Sequence, residues 1–253
     1  MGVTGFTKVK ERETIKRLIL AVDGLEKQGK THFALTAPGP IAYLDFDIGS
    51  EGVLEKFLAK KEIHLPTEGS KQGRASFQLP IKAGQPVNID ECVRLWEDFK
   101  KLYCNALQSE GLRTIIIDTA TEMWELLRLS RFGKLLQVMP HQYGPVNAEY
   151  RELIRLAYGF NKNLILLHKK KAQYINEKRT GKYERAGFSE TGFLVQCNAD
   201  VTREDDGTGD FCLNVRDCRQ NPDIAGEDFS GPMCSFPMLA SFVFQGTSPK
   251  DWE

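Results

Sequence analysis

One glycine-rich segment of the chain has the residue types and spacing to bind phosphate groups. Residues 24–31 read Gly-Leu-Glu-Lys-Gln-Gly-Lys-Thr and match the pattern GxxxxGK[ST]. In this pattern the backbone N–H groups of the loop surround phosphates, the lysine contacts the outer phosphates and the last hydroxyl binds Mg²⁺. The sequence therefore predicts Lys30 as a catalytic phosphate contact and Thr31 as a metal ligand. The predicted nucleotide contacts are Gly24, Leu25, Glu26, Lys27, Gln28, Gly29, Lys30, Thr31 and His32.

Acidic residues follow two further apolar runs. Asp118 ends the run Arg113–Ile117, and we predict that it is a catalytic residue that joins the Mg²⁺ shell. Asp47 and Glu51 follow the run that begins at Ile41, at the kind of strand end where open α/β sheets bind ligands. We predict that Asp47 orients the attacking water, with Glu51 as the alternative base. Helix capping by Asp118 and simple solvation of Asp47 are the other interpretations.

A histidine ends the fourth apolar run of the chain. His168 follows Asn163–Leu167, and we predict that it hydrogen-bonds the γ-phosphate or the attacking water. In that position it would report the state of the nucleotide to the loop that follows. A purely structural histidine at a strand end is the alternative.

The segment after His168 is rich in cations and contains two tyrosines. Residues 169–185 hold seven lysines and arginines against two glutamates, and Thr180-Gly181 is typical of a hairpin turn. Basic side chains follow phosphates and aromatic rings stack on bases, which is how proteins bind single strands without sequence preference. A solvated hairpin without function is the alternative. The predicted DNA contacts are Lys169, Lys170, Lys171, Tyr174, Lys178, Arg179, Lys182, Tyr183 and Arg185.

Two arginines follow a late apolar run. Arg216 and Arg219 come after Phe211–Val215, and they could act as arginine fingers that reach the nucleotide of a neighbouring subunit. Surface salt bridges are the alternative explanation.

The elements that must position these residues alternate between strands and helices, which predicts an α/β fold with a largely parallel sheet. We expect one domain over residues 1–253, with a core at about 15–217 and an irregular insertion at about 60–86 that holds one possible strand, Ser76–Leu79. A basic hairpin at about 169–188 and a tail at 218–253 complete it. The predicted strands are Arg17–Asp23, Ile41–Asp47, Arg113–Asp118 and Asn163–His168, then Ala172–Asn176, Lys182–Gly187, Phe193–Arg203 and Phe211–Asp217; the predicted helices are 30–36, one from Asn88 to near Gly111, 120–137 and 145–160.

Composition narrows the class of protein. Lys plus Arg (34) equals Asp plus Glu (34), so the net charge favours no class of partner. The six cysteines form no CxxC pair, and no apolar run approaches the length that crosses a bilayer. These features exclude disulfide-scaffold, membrane-spanning and zinc-ribbon proteins. We expect a cytoplasmic protein, in the host cytoplasm if a phage encodes it.

Taken together, the loop 24–31, Asp47, Asp118 and His168 occur in an order that resembles the RecA-type P-loop ATPase core, over roughly residues 15 to 217. The sequence is similar to compact phage RecA-like ATP-binding proteins, some of which serve in single-strand annealing or recombination, and residues 217–222 resemble their C-terminal segment. The resemblance implies helices on both faces of the sheet, a C-terminal β extension and the strand order 5-1-4-3-2. It also implies ATP and Mg²⁺ as cofactors, DNA-binding loops after strand four, and homo-oligomers with ATP between protomers.

These observations together predict an ATPase, with DNA-stimulated and Mg²⁺-dependent hydrolysis, that binds single-stranded DNA in recombination or strand annealing. One alternative is a nucleotide-gated loader or binding module that hydrolyses little ATP and acts through a protein partner. A P-loop kinase for a small molecule is another. Where RecA proteins place a glutamate after strand two, this chain has Asp47. We also expect no separate N-terminal DNA-binding or oligomerisation domain.

Overall fold

The computed structural model describes residues 15–67, 75–133, 138–205 and 207–253. The strands are β1 (Ile19–Gly24), β2 (Ile41–Asp45), β3 (Ile63–His64), β4 (Thr114–Asp118), β5 (Asn163–Ile175), β6 (Lys178–Arg185), β7 (Cys197–Arg203), β8 (Phe211–Cys218) and β9 (Asp228–Ser230). The α-helices are α1 (Lys30–Ala34), α2 (Glu55–Leu58), α3 (Ile89–Gln108), α4 (Ala120–Phe132), α5 (Tyr143–Ala157), α6 (Thr191–Leu194) and α7 (Phe236–Val243). The predicted helix 120–137 therefore ends at Phe132 among the described residues, and its last predicted positions, 134–137, lie outside them.

The strands form one sheet in the order β3-β2-β4-β5-β1-β7-β8-β9, and β6 pairs with β5 outside this path. From β3 to β7 neighbouring strands are parallel, whereas β8 and β9 are antiparallel additions at one edge. If only the five predicted core strands are counted, the order is β7-β1-β5-β4-β2, which confirms the predicted 5-1-4-3-2. The RecA-like α/β fold, with its C-terminal β extension, is therefore present.

Helices cover both faces of the sheet. Ile19 and Ala21 of β1 pack on the face covered by α3, α4 and α5, whereas Leu20 and Val22 pack on the face covered by α1 and α7. Successive residues of a strand point to opposite faces, and both faces here are dry. This explains why the parallel strands read as continuous apolar runs in the sequence.

Local capping defines the helices next to the sheet. The Asn88 side chain accepts a hydrogen bond from Glu91 N at 3.2 Å and begins α3, as the sequence predicted. Thr119 caps α4 by accepting from Glu122 N at 3.3 Å. Because Thr119 performs the capping, the carboxylate of Asp118 is left for other partners.

The predicted hairpin is present, but its predicted turn is wrong. β5 runs for 13 residues and continues beyond the sheet, where β6 pairs with it in the antiparallel direction. The chain reverses at Asn176 and Glu177, which have positive φ angles of 49° and 63°. Two-residue hairpin loops of this type need positive φ at both central positions. Gly181, also at positive φ, instead lies in an irregular part of β6 where the register shifts.

Three other predictions about elements differ from the structure. No strand forms at Ser76–Leu79, because this segment turns and only Phe77 N bonds to Asp45 O. The predicted strand from Phe193 begins only at Cys197, since α6 precedes it. The tail after residue 217 packs into the core: α7 and Trp252 join the same apolar cluster as β1. Within the described ranges, no helix combines the length and apolar content that a membrane span requires.

Candidate nucleotide-binding site

The glycine-rich loop lies between β1 and α1, where the motif requires it. Gly29 has a φ of +93°, and a Cβ placed there would lie 2.5 Å from Cδ1 of Phe211. Only glycine therefore fits this position, for both conformational and steric reasons. Lys30 Nζ donates to the carbonyl oxygens of Gly24 and Leu25 at 3.0 and 2.7 Å. The loop thus folds around the amine of its own lysine.

The loop borders a cavity of about 740 Å³. The cavity brings together loop residues, the segment after β2, the end of β4, the middle of β5 and one aromatic ring from β8. Its size and its many polar groups suit a nucleotide and not a small ion alone. The lining residues are Gly24, Glu26, Lys27, Gln28, Gly29, Lys30, Thr31, His32, Asp47, Gly49, Val53, Lys56, Asp118, Thr119, Lys169, Lys170 and Phe211.

The residues predicted to hold a metal meet at one end of this cavity. Thr31 Oγ1 donates to Asp118 Oδ2 at 2.7 Å, and the hydroxyl of Tyr43 donates to the same oxygen at 2.6 Å. Burial raises the pKa of Asp118, while hydrogen bonds from Tyr43 and Thr31 oppose that rise. Mg²⁺ typically binds through one or two protein oxygens together with phosphates and water. A hydroxyl and a carboxylate in contact fit that requirement.

Sequence reasoning missed Tyr43. The residue lies in the middle of β2, between aliphatic neighbours that are also buried. A buried tyrosine normally finds a partner for its hydroxyl, and this was the signal that could have identified it. The partner itself, 75 positions away, was not readable from the sequence.

A cation that we expected to contact DNA lies in the cavity instead. Lys169 Nζ is 2.8 Å from Asp47 Oδ2 and 2.6 Å from Glu122 Oε1. Although burial lowers the pKa of Lys169, the hydrogen bonds to these two carboxylates raise it above the ordinary value. The amine is therefore a fixed positive charge beside the predicted base. Sequence reasoning also missed Glu122, one helical turn after the strand end.

The two candidate bases have different positions. Asp47 lines the cavity, accepts a hydrogen bond from Ile48 N at 2.9 Å and pairs with Lys169. Glu51 is exposed and lies outside the cavity lining. The structure thus brings Asp47 together with the phosphate-binding loop and leaves Glu51 apart from it.

A buried cluster of ion pairs lies behind the loop. Asp23, at the end of β1, has no exposed surface, and its two oxygens lie 2.7 Å from Arg185 Nε and 2.8 Å from Arg216 Nη2. Arg185 also donates to Asn198 Oδ1 at 2.7 Å. Arg185 was expected to contact DNA and Arg216 to reach a neighbouring subunit. Both guanidinium groups instead pair with Asp23 of their own subunit. Neutralisation of the buried carboxylate explains this placement.

His168 belongs to this cluster and not to the cavity. Its ring is fully buried, and Nδ1 is 3.3 Å from the carbonyl oxygen of Ala186. Burial, reinforced by the neighbouring Arg185 and Arg216, lowers the pKa of His168 well below its ordinary value. The imidazole is thus neutral near pH 7, and the lining of the cavity does not include it.

The outer part of the hairpin, residues 171–185, is called the ribbon below. Its aromatic and apolar side chains are largely in solvent: Tyr174 is 62% exposed, Ile175 59% and Tyr183 45%. Lys178 and Lys182 are exposed beside them, and Arg179 donates to the hydroxyl of Tyr183 at 3.2 Å. Without Arg185, which pairs with Asp23, the predicted DNA contacts on the ribbon still form an exposed strip of rings and cations.

The other predicted cations have partners of their own. Lys170 Nζ is 3.0 Å from Asp200 Oδ2 at the rim of the cavity, and Lys171 Nζ is 3.3 Å from Glu184 Oε1 across the ribbon. Arg219 is exposed and donates to the carbonyl oxygen of Phe193 at 2.8 Å. Both predicted finger arginines are exposed, but the Arg216 guanidinium pairs with the buried carboxylate of Asp23, whereas Arg219 donates to a backbone carbonyl.

Comparisons with known proteins identify a family for most of the chain. The family AAA_24, described as an AAA domain, matches residues 16–202. Among solved structures, the chain is similar to the KaiC-like protein PH0186 from the hyperthermophilic archaeon Pyrococcus horikoshii OT3, with 14% sequence identity, a TM-score of 0.42 and coverage of 84% of each chain. A search of curated proteins found no match.

Proposed function

Because the chain belongs to the AAA_24 family of AAA domains, we propose that it hydrolyses ATP and that single-stranded DNA on the ribbon controls the hydrolysis. One observation carries this proposal. Strand β5 is continuous from Lys169, in the cavity, to Tyr174 and Ile175, in the exposed ribbon. A single hydrogen-bonded strand therefore joins the nucleotide to the surface that suits DNA.

The loop and the strand ends supply the groups that phosphoryl transfer needs. Lys30 and the backbone of the loop hold the phosphates, and Thr31 and Asp118 hold the metal. Bound Mg²⁺ supplies positive charge that neutralises the transferring phosphoryl group. Asp47 orients a water for in-line attack, in which the bond from the γ-phosphorus to the β–γ bridging oxygen breaks as the new P–O bond forms.

Aromatic groups in the lining of the cavity suit a nucleobase. The His32 ring lies 5.3 Å from the ring of Phe211 and 5.1 Å from that of Phe57, and Val53 lines the same region. Burial lowers the pKa of His32, so its ring is neutral and favours stacking near pH 7. These aromatic and apolar groups would contact the base of ATP while the loop binds its phosphates.

The ribbon has the chemistry that single strands need. Exposed Tyr174 and Tyr183 offer faces for base stacking, which is worth about 1–3 kcal/mol per base. Lys178, Arg179 and Lys182 lie beside them and attract phosphates. The resemblance to compact RecA-like proteins suggests strand annealing or recombination by homo-oligomers as the role, with Arg219 available to a neighbouring subunit.

Lys169 and Thr121 couple the two regions. Thr121 Oγ1 accepts from Lys169 N at 3.0 Å and donates to Ala186 O at 3.1 Å, so the start of α4 ties both strands of the ribbon at its base. A movement of the ribbon on DNA binding therefore displaces Lys169. Because Lys169 also pairs with Asp47, this displacement changes the partner of the catalytic base.

The test is the rate of ATP hydrolysis with and without single-stranded DNA over a range of salt concentrations. We expect stimulation that salt weakens, and no turnover in Lys30→Ala. The triple variant Tyr174→Ala, Lys178→Ala, Lys182→Ala should keep the basal rate and lose the stimulation. Lys101→Ala, which removes an exposed cation from α3, should behave as the wild type.

Two results would contradict the proposal in different ways. Tight ATP binding without turnover, with or without DNA, would remove the hydrolytic role of Asp47 and favour a nucleotide-gated module with a protein partner. Hydrolysis that DNA stimulates equally in the triple variant would keep the ATPase and remove the ribbon as the DNA site.

A further inference from the structure

Two cysteines lie directly opposite each other in the antiparallel pair β7·β8. Cys197 and Cys218 are register partners. At the next position, Arg219 N donates to Gln196 O at 2.8 Å, which makes that position the hydrogen-bonded one. The cysteines therefore occupy a non-hydrogen-bonded position, where opposed Cα atoms lie about 4.5 Å apart and side chains are closest. Disulfides span Cα separations of about 4.4–6.8 Å.

The surroundings of the two thiols differ. A hydrogen bond from the Cys197 thiol, together with the backbone N–H groups of Asn221 and Gln220, lowers the pKa of Cys218 to about 6. The same hydrogen bond and burial raise the pKa of Cys197. One partner is therefore a thiolate at neutral pH, with 5% of its surface exposed, and the other is a buried thiol in contact with it. A nucleophilic thiolate beside a resolving thiol is the arrangement that redox-active pairs use.

We propose that Cys197 and Cys218 form a reversible disulfide when the folded protein meets a hydroperoxide. The Cys218 thiolate attacks the terminal peroxide oxygen, the O–O bond breaks, the other oxygen leaves as hydroxide from hydrogen peroxide or as alkoxide from an organic hydroperoxide, and a sulfenic acid remains. The Cys197 sulfur then attacks the Cys218 sulfur, the S–S bond forms and water leaves with the thiol proton. The two sulfurs are oxidised by two electrons and the peroxide is reduced. A dithiol reductant reverses the reaction by exchange.

The described residues include all six cysteines, and among them no other cysteine faces a cysteine on the neighbouring strand. Cys212 of β8 is buried as well, but its register partner is Thr202. Cys92 and Cys104 lie on α3, three helical turns apart. The structure thus singles out one pair among the six cysteines, and Cys212 provides a matched control on the same strand.

The experiment treats the native full-length protein with hydrogen peroxide, counts free thiols after denaturation and maps the linked peptides by mass spectrometry. We expect the loss of two of six thiols, a link between Cys197 and Cys218, and full recovery with dithiothreitol. Cys218→Ser should keep all its remaining thiols, Cys197→Ser should form no intramolecular link and lose at most the Cys218 thiol as its sulfenic acid, and Cys212→Ser should still lose two.

Peptide mapping of the wild type decides the matter even if a serine variant does not fold. Retention of all thiols in the native protein, with oxidation only in urea, would overturn the proposal. A link between Cys212 and Cys234 in place of the expected one would overturn it as well.

Discussion

Replacing Tyr43 with phenylalanine removes one hydroxyl from the metal end of the cavity and leaves the buried ring in place. This hydroxyl donates to Asp118 Oδ2 at 2.6 Å, and both residues are buried. A hydrogen bond to a charged group contributes roughly 1.5–3 kcal/mol. We therefore expect a loss of about 2 kcal/mol in the free energy of unfolding, which for a chain of this length lowers the Tm by roughly 4–8 °C.

The same substitution changes the response to pH. Burial raises the pKa of Asp118 above its ordinary value of 3.8, so the folded state holds a proton that the unfolded state has lost. The contribution of Asp118 to stability therefore falls as the pH rises from 3.8 to the raised pKa of the folded state. Because the hydrogen bond from Tyr43 lowers the pKa of Asp118, its removal raises that pKa further and extends this pH range upward. Because Asp118 must be ionised to bind Mg²⁺, the acid limb of the ATPase pH profile moves to higher pH.

The assays are urea denaturation at two pH values and the pH profile of ATP hydrolysis. Tyr103→Phe is the matched control, since this buried hydroxyl donates to the neutral carbonyl oxygen of Leu153 at 2.9 Å, away from the cavity. The control should lose about 0.5–1.5 kcal/mol and leave the pH profile unchanged. If Tyr43→Phe leaves the acid limb in place and loses no more stability than Tyr103→Phe, the hydrogen bond to Asp118 does not have the assigned role.

Three further substitutions test the phosphate loop, the buried ion pairs behind it and an ion pair on the helices. Gly29→Ala should weaken ATP binding, measured by calorimetry, at least roughly tenfold, because an alanine in the left-handed conformation costs about 1–2 kcal/mol and its Cβ meets the Phe211 ring. The control Gly144→Ala, at a position on α5 where a Cβ meets no neighbouring atom, should bind ATP as the wild type does. Asp23→Asn should lower stability to urea by about 3–5 kcal/mol, since it leaves two arginines without their buried carboxylate, and a loss below 1 kcal/mol would refute this. Burial raises the pKa of Glu149, but hydrogen bonds from a tryptophan, an arginine and a lysine outweigh it and lower the pKa below 4.5. The stabilisation from Glu149 is therefore present above pH 4.5 and lost as the pH falls through the lowered pKa. Glu149→Gln should accordingly flatten the acid denaturation curve.

The proposed coupling between the ribbon and the cavity would run through short polar contacts. Asp47, Lys169 and Thr121 are joined in series by contacts of 2.8 and 3.0 Å, and Thr121 reaches the second strand of the ribbon through Ala186. In the proposed coupling, DNA binding would move Lys169 away from Asp47, with which it pairs in this structure. Fluorescence of a probe on the ribbon, measured with and without ATP, would detect the change from the other direction, since coupling between two binding sites is reciprocal.

The sequence by itself determined the parts of this protein that depend on neighbouring residues. The phosphate loop is built from eight contiguous residues whose glycines, lysine and threonine act through local geometry. The core strands were readable because both faces of a parallel sheet are buried and leave a continuous apolar run. The strand order required the resemblance as well, and the structure confirmed it.

The tertiary structure alone decided which charges have partners. Lys169, Lys178 and Arg185 look alike in a basic run, yet one lies in the cavity, one is exposed, and one is buried against Asp23, 162 positions away. The turn of the ribbon lies at Asn176 and Glu177 and not at the predicted Thr180-Gly181. A glycine such as Gly181 suits either a turn or a bulge, and the strand register selects between them. The role of a charged side chain is set by the group that faces it, and the folding of distant segments determines that group.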